Sequence, residues 1–224
     1  MMRREMTRYM QALGLLMVLL LPGVVMSKNM MEDTLIAAAA RGDTNAVRTL
    51  LSAGASLEVR DMQGRTALLA ATHANHVEVA KLLIDAGADV NAKDNIADSP
   101  YLYAGARGHL AILRMTLSHG ADLTSLNRYG GTALIPAAER GHVETVKTLI
   151  DAGVAIDHVN NLGWTALLEA VMLGNGGERH TAIVKMLVDA GANTRITDRE
   201  GMTALQHAQQ KGYRQIVGIL SAAP

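Results

Sequence analysis

A five-residue phrase returns along this chain at an almost constant interval, and that interval leaves few folds open. It reads Gly64-Arg65-Thr66-Ala67-Leu68, a degenerate Ala97-Asp98-Ser99-Pro100-Tyr101, then Gly130-Gly131-Thr132-Ala133-Leu134, Gly163-Trp164-Thr165-Ala166-Leu167 and Gly201-Met202-Thr203-Ala204-Leu205. The hydroxyl residues stand 33, 33, 33 and 38 positions apart. A period of this size builds stacked supersecondary units rather than one closed globule, because one unit is too small to bury its own apolar face. The composition suits that architecture: 49 % of the residues are hydrophobic, yet none is Phe, so the core is built mainly from Ala, Leu, Val and Met.

Within a unit the order of signals is regular. Thr66, Ser99, Thr132, Thr165 and Thr203 each precede a short apolar segment and are expected to cap a first helix, their side-chain oxygens accepting from free first-turn amides. Pro100 follows its cap directly, where a missing N–H costs nothing, whereas Pro136 lies deeper and should weaken its first turn. A tight turn follows at Asn75-His76, Gly108-His109, Gly141-His142 and Gly212-Tyr213. The second helix then carries one apolar stripe, as in Ala80, Leu83 and Ile84, or Val146, Leu149 and Ile150. Val47, Leu50 and Leu51, and Val184, Leu187 and Val188, repeat it. Helices this short are marginal alone in water and must pack on their neighbours. Gly54, Gly87, Gly120, Gly153 and Gly191 end them, and an extended linker rich in Asp, Asn and Gly leads to the next phrase.

Period, caps, Gly-His turns and Gly-Ala helix ends together make residues 33–224 resemble an ankyrin-repeat protein, of about six units including caps. The resemblance implies an all-α solenoid of helix-turn-helix units with hairpin-like finger loops. One departure is that the usual Thr-Pro-Leu-His has become Thr-Ala-Leu-Leu or Thr-Ala-Leu-Ile, so the family's histidine network is largely missing from the first helices. The unit starting near Asp33-Thr34-Leu35, with Glu32, Arg41 and Asp43, is expected to cap one end. Gln209, Gln210, Lys211, Arg214 and Gln215 make the other end polar. Asn175-Gly176-Gly177-Glu178-Arg179 break the period between the two helices of the fifth unit, either as a surface insertion of small cost or as a partner-specific protrusion.

Motifs that carry chemistry are missing. His76, His109, His142 and His180 occupy one equivalent position each and should form a column of structural turn residues in contact with solvent, too far apart for one metal ion. Gly174-Asn175-Gly176-Gly177 has no Lys-Ser or Lys-Thr after it to hold phosphate, and neither a nucleophile elbow nor a thiol is present. Arg48, Lys81, Arg114, Lys147 and Lys185 form a second column, but Asp85, Asp151 and Asp189 stand four residues after three of them, the spacing of solvated helical ion pairs. No catalytic, cofactor-binding or metal-binding residues are therefore assigned, and a net charge of zero leaves no field for nucleic acid.

The positions that vary between equivalent units are free of the demands of stacking. In ankyrin-repeat proteins such positions on the fingers and at the end of the first helix line a concave partner-binding face. The resemblance therefore implies protein-binding roles for Met62, Gln63, Arg65 and His73, and for Asn95, Ile96, Asp98 and Arg107. Further along it implies the same for Arg128, Tyr129, Glu139 and Arg140, then Asn161, Leu162, Trp164, Met172 and Leu173, and finally Arg199, Glu200 and Met202. Trp164 and Tyr129, with the nearby arginines, are of the types that dominate interface energetics. Trp164 could equally stiffen the stack by packing across a neighbouring finger. The resemblance extends to small exported bacterial proteins that neutralise a toxic effector or give protection, with an assembly factor for a periplasmic enzyme such as an oxidative-stress catalase as the alternative. An enzyme with an unrecognised site is a distant third.

The first 27 residues read as a Sec signal: Arg3, Arg4 and Arg8, an apolar run from Ala12 to Leu21, a break at Pro22, and a cleavage site after Ser27. A membrane anchor is the alternative, although the run falls short of the ~20 residues of a span. Residues 28–32 form a lead-in. Loss of three arginines and Glu5 leaves 18 basic against 20 acidic residues, a net charge of −2. Without Cys there is neither a disulfide nor a site for lipid attachment, so the expectation is a soluble periplasmic protein, monomeric when free, with a protein partner.

Overall fold

The computed structural model describes residues 35–223; the expected signal, the lead-in and the first residues of the capping unit lie outside them. Twelve helices occur among the described residues, two per unit. They are α1 (35–41), α2 (Thr44–Ser52), α3 (Ala67–His73), α4 (Val77–Asp85), α5 (Pro100–Arg107) and α6 (Leu110–Ser118). The series continues with α7 (Leu134–Glu139), α8 (Val143–Asp151), α9 (Ala166–Met172), α10 (Glu178–Asp189), α11 (Ala204–Lys211) and α12 (Arg214–Ser221). First helices α3, α5, α7, α9 and α11 stack in one layer and second helices α2, α4, α6, α8, α10 and α12 in another. One apolar core runs the length of the stack between them, through Leu68, Tyr101, Leu134 and Leu167 from the first layer and Leu83, Leu113, Leu149 and Leu187 from the second. The fold is thus an all-helical repeat solenoid. Among the described residues the fingers contain no strands, only the isolated bridge Thr197 to Thr203.

Four of the five expected caps form. The amides of Leu69, Leu102, Leu168 and Gln206 donate to the hydroxyls of Thr66, Ser99, Thr165 and Thr203 at 3.2–3.3 Å. Thr132 does not cap. Helix α7 begins one residue later, from Ala133, and the buried Thr132 hydroxyl has no partner. The reason is Pro136: in the sibling units the amide four residues after the cap donates to the cap's carbonyl, as Ala70 does to Thr66 and Glu169 to Thr165, and proline has no such hydrogen. Pro136→Ala is therefore expected to restore the first turn and the Thr132 cap, stabilising the protein by about 1 kcal/mol. Thermal denaturation followed by circular dichroism checks this, and an unchanged or lower Tm would count against it.

Three of the turn histidines, His76, His142 and His180, reach back to the preceding unit, and His180 is buried there. The His76 Nε2–H donates to the Ala40 carbonyl at 3.1 Å and that of His180 to the Glu139 carbonyl at 2.9 Å, each in the preceding unit. The His142 ring lies over Gly108, which has φ +71°; a Cβ there would sit 2.6 Å from Nδ1. The expected ion pairs Lys81–Asp85, Lys147–Asp151 and Lys185–Asp189 close at 2.6–2.7 Å. All are well exposed, so they contribute little.

The five added residues of the fifth unit do not project as a loop. Glu178 and Arg179, together with His180, whose equivalents His76 and His142 are N-caps, lengthen α10 to 12 residues against 9 in α4 and α8. The remaining turn is held down: the Tyr213 hydroxyl donates to the Gly174 carbonyl at 2.9 Å, and the Tyr213 ring lies directly against Gly176. The insertion thus packs on the sixth unit instead of standing clear of the stack.

Candidate functional site

Each finger is organised by one Asp or Asn. The backbone amides two and four residues ahead donate to Oδ1 of Asp61, Asp94, Asn127, Asn160 and Asp198, at 2.8–3.1 Å. Their own amides close the turn onto the carbonyl of the fourth residue. This Asx turn follows the 33-residue period, so the signal was present in the sequence, although generic turn chemistry did not single these residues out. Fingers are also bonded to one another: Asn161 N–H donates to the Tyr129 carbonyl at 2.8 Å and His158 Nε2–H to the Gly130 carbonyl at 2.6 Å.

The turn dictates which side chains face outward. Gln63, Ile96, Tyr129, Leu162 and Glu200 each stand two residues after the Asx, at the finger tip. Ile96 is 48 % exposed, Tyr129 53 % and Leu162 42 %, while Met62, one place earlier, is 92 % exposed. These four and Leu173 account for five of the six large exposed apolar side chains among the described residues, all five within the expected partner surface. The sixth, Val159, lies one residue before Asn160 and was not anticipated.

Beneath the tips of units three to five lies a groove of about 440 Å³. It brings together Asp98, Arg107, Arg128, Tyr129, Glu139, Arg140, Leu162, Trp164 and Leu173 from the expected set. Tyr103, Asn160 and Glu169 join them without having been anticipated. Outside it, Met62, Gln63, Arg65, His73, Asn95 and Ile96 belong to the fingers and helix end toward the N-terminus. Asn161, Met172, Arg199, Glu200 and Met202 belong to those toward the C-terminus. None of the expected residues is fully buried.

Several of the cations are already engaged. Arg140 donates to the Ala106 carbonyl at 2.6 Å, and Arg199 to the Asn161 carbonyl. Arg65 is paired with Asp61 at 2.7 Å. Arg107 lies 5.4 Å over the Tyr103 ring, and Arg128 lies 5.2 Å over the Tyr129 ring with Asp98 at 3.8 Å. The groove wall is thus made of guanidinium and aromatic planes held in place beforehand. Trp164 is half-buried, packed against the core and lining the groove.

At the floor, Glu169 is only 5 % exposed, and its Oε1 accepts from Asn160 Nδ2 at 2.8 Å. Burial, reinforced by the Glu139 charge, pushes its carboxyl up to about 7, although the Asn160 hydrogen bond and Arg140 oppose the shift. The equivalent place in the sixth unit holds His207, whose Nε2 meets Asp198 Oδ2 at 2.6 Å. In both units a polar group on the first helix therefore braces the Asx of its own finger.

Comparison with known proteins adds to this geometry. The family model for ankyrin repeats (3 copies) matches residues 11–94 and 101–193. An ankyrin repeat domain from Acinetobacter baumannii AYE, solved by crystallography, is 62 % identical, with a TM-score of 0.82 over 84 % of this chain and 96 % of that one. A second solved ankyrin-repeat protein is 46 % identical, with a TM-score of 0.83 over 86 % of this chain and 98 % of that one. The ankyrin repeat domain of Bcl-3, described as a member of the IkappaB protein family, is 28 % identical with a TM-score of 0.74 over 85 % of each chain. Among curated proteins, the ankyrin repeat protein YahD of Escherichia coli (strain K12) is 38 % identical over 55 residues; the match spans 25 % of this chain and 27 % of that protein.

Proposed function

This chain belongs to the ankyrin-repeat family, whose repeats are protein-interaction modules, and from that premise we propose that it is an exported, non-catalytic protein that captures one protein partner across the groove of units three to five. Its role would be that of an immunity or protective binding protein. The observation that carries the binding face is the apolar register Ile96, Tyr129 and Leu162, exposed on successive finger tips above a groove of aromatic and arginine side chains. Large exposed apolar groups gathered on one face mark interaction surfaces. The fingers are fixed by Asx turns and inter-finger bonds, so little ordering entropy is lost when a partner docks.

The test is affinity capture from a periplasmic extract, with the captured protein's own N-terminus read by mass spectrometry. The parent is expected to begin at Lys28 and to retain a specific partner. Tyr129→Ala/Trp164→Ala, if as well folded by circular dichroism, is expected to lose it, since hot-spot truncation costs about 2 kcal/mol or more per residue. Equal recovery by both proteins would remove the groove from the proposal, and a retained leader would remove export.

A further inference from the structure

We propose that His73, Asp94 and Asp98 form a binding site for a first-row divalent cation of the zinc class, built between the second and third units. The end of α3 supplies the histidine and the next finger both aspartates. One donor atom from each of the three lies within 4.8 Å of the other two. Donors at ~2.1 Å from a shared tetrahedral ion stand ~3.4 Å apart, so the cluster must close by up to about 1.4 Å, within reach of side-chain rotation, and a bound cation favours that by relieving the repulsion between the carboxylates.

Two independent observations support the assignment. His73 Nε2 is buried and has no hydrogen-bond partner, the kind of orphaned polar atom that calls for an explanation. The repeat itself supplies the second observation. Equivalent triplets read Ala106, Asn127 and Gly131 in the next pair of units, then Glu139, Asn160 and Trp164, then Met172, Asp198 and Met202. Stacking is satisfied by Ala, Asn and Gly at these places, so the scaffold does not demand ligating groups; only the first triplet consists entirely of them.

The donor set decides the class of ion. Two carboxylates balance a divalent charge, and an imidazole favours zinc-like ions over Mg²⁺ or Ca²⁺. Asp94 Oδ1 is occupied by the amides of Ile96 and Asp98, which leaves Oδ2 for the ion. Four arginines surround the cluster: Arg65 is held by Asp61 at 2.7 Å, Arg107 lies 5.4 Å over the Tyr103 ring, Arg140 donates to the Ala106 carbonyl, and Arg128 stands 3.8 Å from Asp98, near the limit of a pair. Three protein donors leave at least one position open, as in sites where water or an incoming ligand completes the shell.

Isothermal titration of the full chain with ZnCl₂ tests this against His73→Ala and Asp94→Asn. Both variants copy what the chain already uses at equivalent places, Ala106 and Asn127, and the asparagine keeps the Asx turn. The parent is expected to bind one Zn²⁺ per chain; each variant should bind it about tenfold more weakly or worse, and Asp94→Asn, which leaves the stacking of His73 on Tyr103 intact, should keep the metal-free melting curve unchanged. Mg²⁺ and Ca²⁺ should bind the parent at least about tenfold more weakly than Zn²⁺. Absence of saturable binding to the parent, or the same affinity in both variants, would overturn the site. Mg²⁺ binding as tight as Zn²⁺ would overturn the class of ion.

Discussion

Glu169→Gln is expected to stabilise the protein by about 3 kcal/mol at pH 8 and to change almost nothing at pH 4. The folded carboxyl titrates at about 7 because burial, with the Glu139 charge, disfavours its ionised form, whereas the unfolded one titrates near 4.3. Below both values neither state is ionised and the group has no effect. Between them the folded state holds a proton that the unfolded state has released, so stability falls as pH rises through that window; above about 7 the full penalty remains. Glutamine removes the charge and keeps an Oε1 for Asn160 Nδ2, now at 2.8 Å from the carboxylate. Melts from pH 4 to 8 check the result, with a Tm difference growing to roughly 5–10 °C at the alkaline end. Parallel curves for parent and variant would show that Glu169 does not titrate in this window.

Leu134→Ala should cost about 3 kcal/mol and Leu205→Ala about 1 kcal/mol. Both are the last residue of the same five-residue phrase. Leu134 is fully buried, with units on both sides, whereas Leu205 lies in the last unit and is only partly covered. Leu134 also sits in α7, the six-residue helix whose hydroxyl cap is missing. In a one-dimensional stack, weakening a central interface uncouples the two halves, so the Leu134 variant should also unfold in urea over a broader transition than the Leu205 variant. Equal costs at the two sites would mean that the end unit is as well packed as the middle.

The local half of the architecture was legible in the residues. Thr66, Ser99, Thr165 and Thr203 cap as the phrase implies, and Gly54, Gly87, Gly120, Gly153 and Gly191 all take the positive φ that ends a second helix. Pro136 reads as a weak point from its position alone, whereas the loss of the Thr132 cap depends on a carbonyl bond one turn away. The candidate surface was legible as a set of positions rather than as a site. Nothing in the spacing distinguishes Trp164, which lines the groove, from Met202, which does not, and Glu169 was passed over because it sits within a helix whose neighbours are apolar.

By itself the sequence determined the period, the helix ends, the Asx turns and the choice of solenoid over globule, because these follow from interactions spanning a few residues and repeated in register. Only the tertiary structure decided that the added residues of the fifth unit lengthen α10 and lie under Tyr213, that Glu169 is enclosed beside Glu139, and that His73 meets two aspartates of the next unit. Burial, pKa and convergence of ligands are set by side chains 20 to 40 residues away, across distances fixed by how one unit stacks on the next, and no local pattern carries that information.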